Sequence, residues 1–119
     1  GITRTITPTQ TRLYENAIQG AYWRAYQNNA PMFGPLRLEI KAHFAVPKSY
    51  PANKRLNCLN DLIRPTTKPD GDNILKIFAD ALNRVAYKDD SQIVEMEIKK
   101  FYAEVEAVGV TISSLDRPR

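Results

Sequence analysis

Four aspartates and one lysine carry the clearest chemical potential in this sequence. Asp70 and Asp72 stand two residues apart in the run Lys68-Pro69-Asp70-Gly71-Asp72-Asn73, and Asp89 and Asp90 are adjacent in Asp89-Asp90-Ser91-Gln92. A turn leading into a helix can aim two carboxylates with this spacing at one cation, and hard oxygen donors suit Mg²⁺ or Mn²⁺. Lys76 follows Asp72 by four residues, so on a helix it lies about 5–6 Å away on the same face. There its ammonium can meet a phosphate held by the metal. Structural readings exist for the same residues: Asp72 as a helix N-cap, Asp70-Gly71 as a turn, and Asp89-Asp90 as a solvated loop. Two other chemistries are excluded. Counted from Asp70, an EF-hand loop would need an acid or amide where Ile74 stands, a glycine at Leu75 and a glutamate at Ala81. No G-x-x-x-x-G-K phosphate loop occurs among the five glycines.

The scaffold for these groups is a chain of 119 residues, long enough for one core and too short for two, so a single domain over residues 1–119 is expected. Hydrophobic residues at 43% and charged residues at 25% match folded globular domains. No apolar run approaches the ~20 residues of a membrane span, and no charged-then-apolar leader opens the chain, so the expected location is the cytoplasm. The lone Cys58 and the lone His43 supply neither an internal disulfide nor a zinc set. The net charge is +4, and Lys48, Lys54, Arg55, Arg64 and Lys68 against Asp61 place that whole excess between Pro47 and Pro69. This segment is rich in proline and asparagine without periodicity, which predicts a long basic loop suited to phosphates, or else a cationic solvated connection.

Thr7-Pro8-Thr9-Gln10 is a helix-start signal, with proline at the first helical position and glutamine three residues after the cap. The apolar stripe of Leu13, Ala17, Ala21 and Ala25, with Tyr14, Ile18 and Tyr22 beside it, predicts a helix over residues 8–28. Trp23, Tyr22 and Tyr26 are expected in core or interface packing. Unbroken alternation from Leu36 to Val46 predicts a half-buried strand over 36–46, with His43 on its solvated face. Ile74, Leu75, Ile77, Phe78, Ala81, Leu82 and Val85 predict a second amphipathic helix over 72–86, whose polar face carries Asp72, Lys76, Asp80 and Asn83. Two alternating runs joined at Ala103 and Glu104 predict an antiparallel hairpin over 92–113. The fold class is therefore α+β, a small mixed sheet packed with two helices.

Taken together, Lys68-Pro-Asp-Gly-Asp-Asn-Ile-Leu-Lys-Ile-Phe-Ala-Asp-Ala-Leu-Asn83 and Val85-Ala-Tyr-Lys-Asp-Asp-Ser-Gln-Ile-Val94 resemble the RusA family of Holliday-junction resolvases. The resemblance lies in P-D-x-D-N-x-x-K-x-x-x-D-A-L-N and D-D-x-Q-[IV] at the family's separation, and extends more weakly from Thr7 to Ser113. It implies a Mg²⁺-dependent endodeoxyribonuclease, bacterial or phage-encoded, that acts on nucleoid DNA as a homodimer and cleaves four-way junctions. Carried over by position, Asp70, Asp72 and Asp90 would hold the metal and Lys76 would assist, with Asp89 the lesser member of its pair. Lys88 joins Lys48, Lys54, Arg55, Arg64 and Lys68 as DNA-contact candidates. Family members have a strand and a basic loop before the T-P-x-x-T-x-x-Y helix start, matched here by Thr7, Pro8, Thr11 and Tyr14, and that strand is expected to be missing.

A helix over 72–86 carries the chain ~21 Å from the first carboxylates, and four further residues recover only ~13 Å. Convergence of Asp90 with Asp70 and Asp72 inside one chain is thus strained. A two-fold dimer with antiparallel second helices would supply Asp90 from the partner, giving composite sites. Competing readings are a non-catalytic branched-DNA-binding module, a metal-dependent nuclease of broader branched-DNA specificity, and a structural or assembly protein.

Overall fold

Alternation of apolar and charged side chains makes residues 36–45 a strand that can bury one face only, and the rest of the chain is built against that face. The computed structural model describes residues 2–7 and 15–116. In chain order the elements are β1 (Thr3–Ile6), α1 (Glu15–Tyr26), β2 (Leu36–Ala45), α2 (Ala52–Leu59), α3 (Gly71–Leu82), a 3₁₀ turn (Asp90–Gln92), β3 (Ile93–Ala103) and β4 (Ala107–Ser114). The four strands form one mixed sheet in the order β1-β4-β2-β3, with β2 and β3 parallel and the other pairs antiparallel. Leu36, Leu38, Ile40 and Ala42 of β2 and Val110 and Ile112 of β4 meet Ile18 and Tyr22 of α1 and Ile74, Phe78 and Leu82 of α3 in one buried cluster. At ~1.5–3 kcal/mol for each large apolar side chain buried, this layer fixes α3 to the sheet. Among the described residues, no helix is long and apolar enough to cross a membrane.

The α+β class stands, with three helices rather than two. The segment expected as a continuous basic loop contains α2, whose one buried residue is Cys58. A helix anchored by a single side chain leaves no amphipathic stripe to detect. The expected hairpin over 92–113 is corrected as well: both strands exist, but β2 lies between them. The linker from Glu104 to Glu106 crosses the end of β2, so β4 pairs with β2 in a register that sets Val110 against Ile40 and Ile112 against Leu38. β3, with Glu95, Glu97, Lys99 and Lys100, takes the edge, where charged side chains are tolerated.

The strand expected to be missing before the first helix is present. β1 pairs along β4 from Thr3 opposite Ser113 to Ile6 opposite Val110. Its Arg4 is buried, with Nη1 donating to the Tyr22 hydroxyl at 2.6 Å and to the Ala30 carbonyl at 2.9 Å. The helix start at Thr7-Pro8-Thr9-Gln10 and the stripe members Leu13 and Tyr14 involve residues outside those described. Of the three aromatics of α1, Tyr22 is in the core while Trp23 is 59% exposed.

Helix α3 ends at Leu82, four residues short of the expected 86. Asn83 turns extended (φ −61°, ψ 128°) and Arg84 adopts a left-handed φ of 64°, which sends Ala86 and Tyr87 back into the core. The other end of α3 touches the sheet closely. A Cβ placed on Gly71 would stand 3.3 Å from Ile98 Cγ2 of β3, tight enough that any larger side chain lifts the helix start. Gly71→Val should therefore lower stability by ~1–3 kcal/mol, read as a drop in urea midpoint, whereas Gly71→Ala should stay within ~1 kcal/mol of wild type. Equal midpoints for Gly71→Val and wild type would contradict this packing.

Candidate active site

The close approach of Gly71 to β3 presents its two flanking aspartates to solvent at the start of α3. Asp70 occupies the N-cap position with extended backbone (φ −66°, ψ 151°), yet its side chain makes no capping hydrogen bond. Asp72 lies in the first turn and is exposed. Of the structural readings, a capping role for Asp72 is thereby removed, and the residue in the cap position leaves its carboxylate free for another ligand. The unpaired N–H groups of this helix end favour negative charge there. Lys76, one turn further, and Asp80, one turn beyond that, are also exposed. Along the axis Lys76 stands ~6 Å from each of Asp72 and Asp80.

The second acidic segment is held by side chains that reach across the chain. Asn83 Oδ1 accepts the Asp90 N–H at 3.1 Å. Gln92 Oε1 accepts the Asp89 N–H at 3.1 Å, while its Nε2 donates to the carbonyls of Met32 and Gly34, both at 3.1 Å. Gln92 thus staples the Asp89–Asp90 turn to the segment before β2. Gly34 has φ 73°, a left-handed conformation that glycine adopts without steric cost. Tyr87 is fully buried beneath the turn and donates its hydroxyl to the Ala79 carbonyl at 2.7 Å. Burial, with Asp90 and Asp80 nearby, pushes its ionisation up.

The two neighbouring aspartates are not equivalent. Hydrogen bonding from Ser91, whose N–H lies 3.4 Å from Asp89 Oδ1, holds the Asp89 carboxyl below the ordinary range. Partial burial first, then the adjacent Asp89 and the charge of Asp80, hold the Asp90 carboxyl above it. Asp90 therefore shares the electrostatic field of Asp80 rather than that of Asp72, and Asp72 and Asp80 are eight residues apart on α3, ~12 Å along its axis. Among the described residues, no three His, Cys, Asp or Glu side chains come close enough to hold a metal ion. The carboxylates instead form two groups, Asp70 with Asp72 at one end of α3 and Asp80 with Asp89 and Asp90 at the other. Asp80 stands in the sequence as part of the polar face of this helix and as the aspartate of the D-A-L-N run. That motif position and its one-turn spacing from Lys76 are the signals that mark it.

Residues 1–113 match the family described as Endodeoxyribonuclease RusA. The chain belongs to the RusA family. It is also similar to an uncharacterized protein, YqaN, of Bacillus subtilis (strain 168), with 44% identity over 81 residues, 66% of this chain and 57% of the relative. The chain thus spans under two thirds of that relative's length.

The basic residues of this RusA-family chain differ in how far they are committed. Arg64 lies over the Phe101 ring at 4.0 Å and donates from Nε to the Lys100 carbonyl at 2.6 Å. Arg55 donates from Nη1 to the Pro47 carbonyl at 3.2 Å, and the Lys54 ammonium sits 3.9 Å from the Tyr50 ring centroid. Lys48, Lys68 and Lys88 are exposed. Removing a neighbouring negative charge favours the ionised form of a carboxyl. Carboxyl NMR of metal-free protein should accordingly show Asp90 releasing its proton at higher pH than an ordinary aspartate, and Asp80→Asn should move that titration to lower pH. An Asp90 that titrates as an ordinary aspartate and ignores Asp80→Asn would contradict the grouping.

Proposed function

We propose that this protein is a divalent-metal-dependent endonuclease that resolves four-way DNA junctions by phosphodiester hydrolysis, acting on nucleoid DNA in the cytoplasm as a homodimer. The observation that carries the reading is the solvent-facing start of α3, where Asp70, whose carboxylate makes no capping bond, Asp72 and Lys76 follow one another within the first two turns. Family membership supports the reaction class.

Carboxylate oxygens at Asp70, Asp72 and Asp90 are a donor set suited to Mg²⁺ or Mn²⁺. When bound, such an ion would polarise the scissile phosphate and lower the pKa of a water. The protein's own contribution is positional. Asp70 and Asp72 are presented by a helix end seated on Ile98. Lys76, exposed one turn beyond Asp72, would place its ammonium near the charge that gathers on non-bridging phosphate oxygens, a role that needs no proton transfer. Gln92 and Asn83 hold the turn that carries Asp90.

The distance between the two acidic groups supports a second copy as the source of the third ligand. β3 is an edge strand on which Val94 is 62% and Met96 48% exposed, although Leu38, opposite Met96 on β2, is fully buried. Arg64 covers the outer edge near Lys100, leaving the Val94–Met96 end open. Gly71, between Asp70 and Asp72, approaches Ile98, and Asp90 lies three residues before Ile93. Two β3 edges meeting antiparallel with Val94 opposite its own counterpart would bring each Asp90 to the level of the partner's Ile98. The two composite sites would then face two symmetry-related strands of a junction. Lys48, Lys68 and Lys88, with Lys54, Arg55 and Arg64, would supply phosphate contacts, so that substrate choice comes mainly from junction shape.

Replacing Asp72 with Asn should lower cleavage of a synthetic four-way junction in Mg²⁺ by about two to three orders of magnitude while junction binding stays near wild type. Undiminished cleavage would remove the assignment. Wild-type binding without Mg²⁺-dependent cleavage would leave a binding module, and equal cleavage of flaps and four-way junctions would leave a nuclease of broader specificity.

A further inference from the structure

Beside the Asp89–Asp90 turn lies a groove of which the proposed site draws only on Asn83 and Lys88. One part, of about 740 Å³, runs between α1 and the turn after α3, with Trp23 and Gln27 on one wall and Arg84 and Val85 on the other. The second part, of about 630 Å³, continues past Phe33 and Lys88 to Asn83 and Asp89. Pro31 and Arg84 line both parts, so the two adjoin. Trp23 and Phe33 are 59% and 74% exposed, an uncommon state for two large aromatics on one groove. Arg84 and Lys88 form no ion pair among the described residues, and Asp89 is the one acid on the lining. Arg84 also holds a left-handed φ of 64°, where a residue other than glycine or asparagine is unusual and invites a functional reading.

We propose that this groove binds an unpaired DNA strand as it leaves the cleavage site, with bases stacked on Trp23 and Phe33 and phosphates met by Arg84 and Lys88. The assignment rests on the reading of Asp90 as part of that site. Exposed aromatic faces interleaved with cations and side-chain amides suit a chain that is anionic along its backbone and flat at its bases. Duplex DNA offers no free base faces, since they are taken up by stacking, so these aromatics can engage only nucleotides that have left the helix. A purely apolar patch would suit a second protein copy; two free cations in the lining favour a polyanion. Asn83 joins the two functions, because it lines the groove and accepts the Asp90 N–H.

Trp23 is the sole tryptophan, so intrinsic fluorescence reports on the groove directly. Without divalent metal, an oligothymidine strand and a four-way junction are each titrated into wild type, Trp23→Ala, Trp23→Phe and Arg84→Ala, with affinity read by anisotropy and folding by circular dichroism. Wild-type fluorescence should be quenched by the single strand. Trp23→Ala should bind that strand about 5- to 150-fold more weakly, the range expected for loss of one stacked base, and Trp23→Phe should recover part of the loss. Arg84→Ala should flatten the logarithmic salt dependence by about one. Unchanged fluorescence at saturation, or undiminished affinity in folded Trp23→Ala, would overturn the proposal. So would sedimentation showing that Trp23→Ala converts a dimer to monomer with DNA affinity intact, which assigns the groove to a second copy. Failure here with junction cleavage intact leaves the nuclease reading standing; a Trp23 effect without any cleavage supports the groove and removes the nuclease.

Discussion

A straight helix keeps its two ends apart, and that rigidity governs the chemistry available to this protein. Helix α3 is clamped along its length by Ile74, Phe78 and Leu82 in the core, so it cannot bend to bring Asp72 toward Asp90. The acidic groups at its ends are separated by roughly two turns of backbone, ~12 Å between Asp72 and Asp80, with Lys76 midway. Shared ligation of one small cation requires oxygen atoms much closer than that. The same packing that gives α3 its fixed position therefore divides the carboxylates, and the proposal of a site shared between two copies rests on that division.

Precision at each end comes from contacts outside the helix. At the N-terminal end, the missing side chain of Gly71 lets the backbone settle on Ile98, and the flanking acids follow the backbone. At the other end, the early stop at Leu82 and the left-handed turn at Arg84 fold the chain back. Asn83 and Gln92 then tie the returning segment to α3 and to the approach to β2. That turn opens the groove in which Trp23 and Phe33 remain exposed, so one local backbone choice places the Asp90 segment and the aromatic surface side by side.

Much of this was legible in the sequence where a single side-chain period dominates. The alternation of β2 and the apolar stripe of α3 each report which face is buried, and the spacing of Asp70, Asp72 and Lys76 follows directly from helical geometry. A period says nothing about which strand lies next to which. The last two strands looked like a hairpin because adjacent strands in sequence usually pair, yet the more apolar β2 took the place between them. α2 was invisible because Cys58 alone is buried on it, and β1 because its buried Arg4 reads as a solvent residue until the Tyr22 hydroxyl and the Ala30 carbonyl are seen to receive it. The grouping of Asp90 with Asp80 was hidden by the same turn, since an α3 running to residue 86 would have directed the following loop elsewhere.

Whether carboxylates of two copies complete one site is decided by mixing two single variants, Asp72→Asn and Asp90→Asn, unfolding and refolding them together, and assaying four-way junction cleavage in Mg²⁺. Each variant alone should be inactive. A mixed dimer keeps one site with both residues intact, and random pairing makes half the dimers mixed, so about a quarter of wild-type sites should return. A mixture as inactive as its parents would show that Asp72 and Asp90 act within one chain or not together at all.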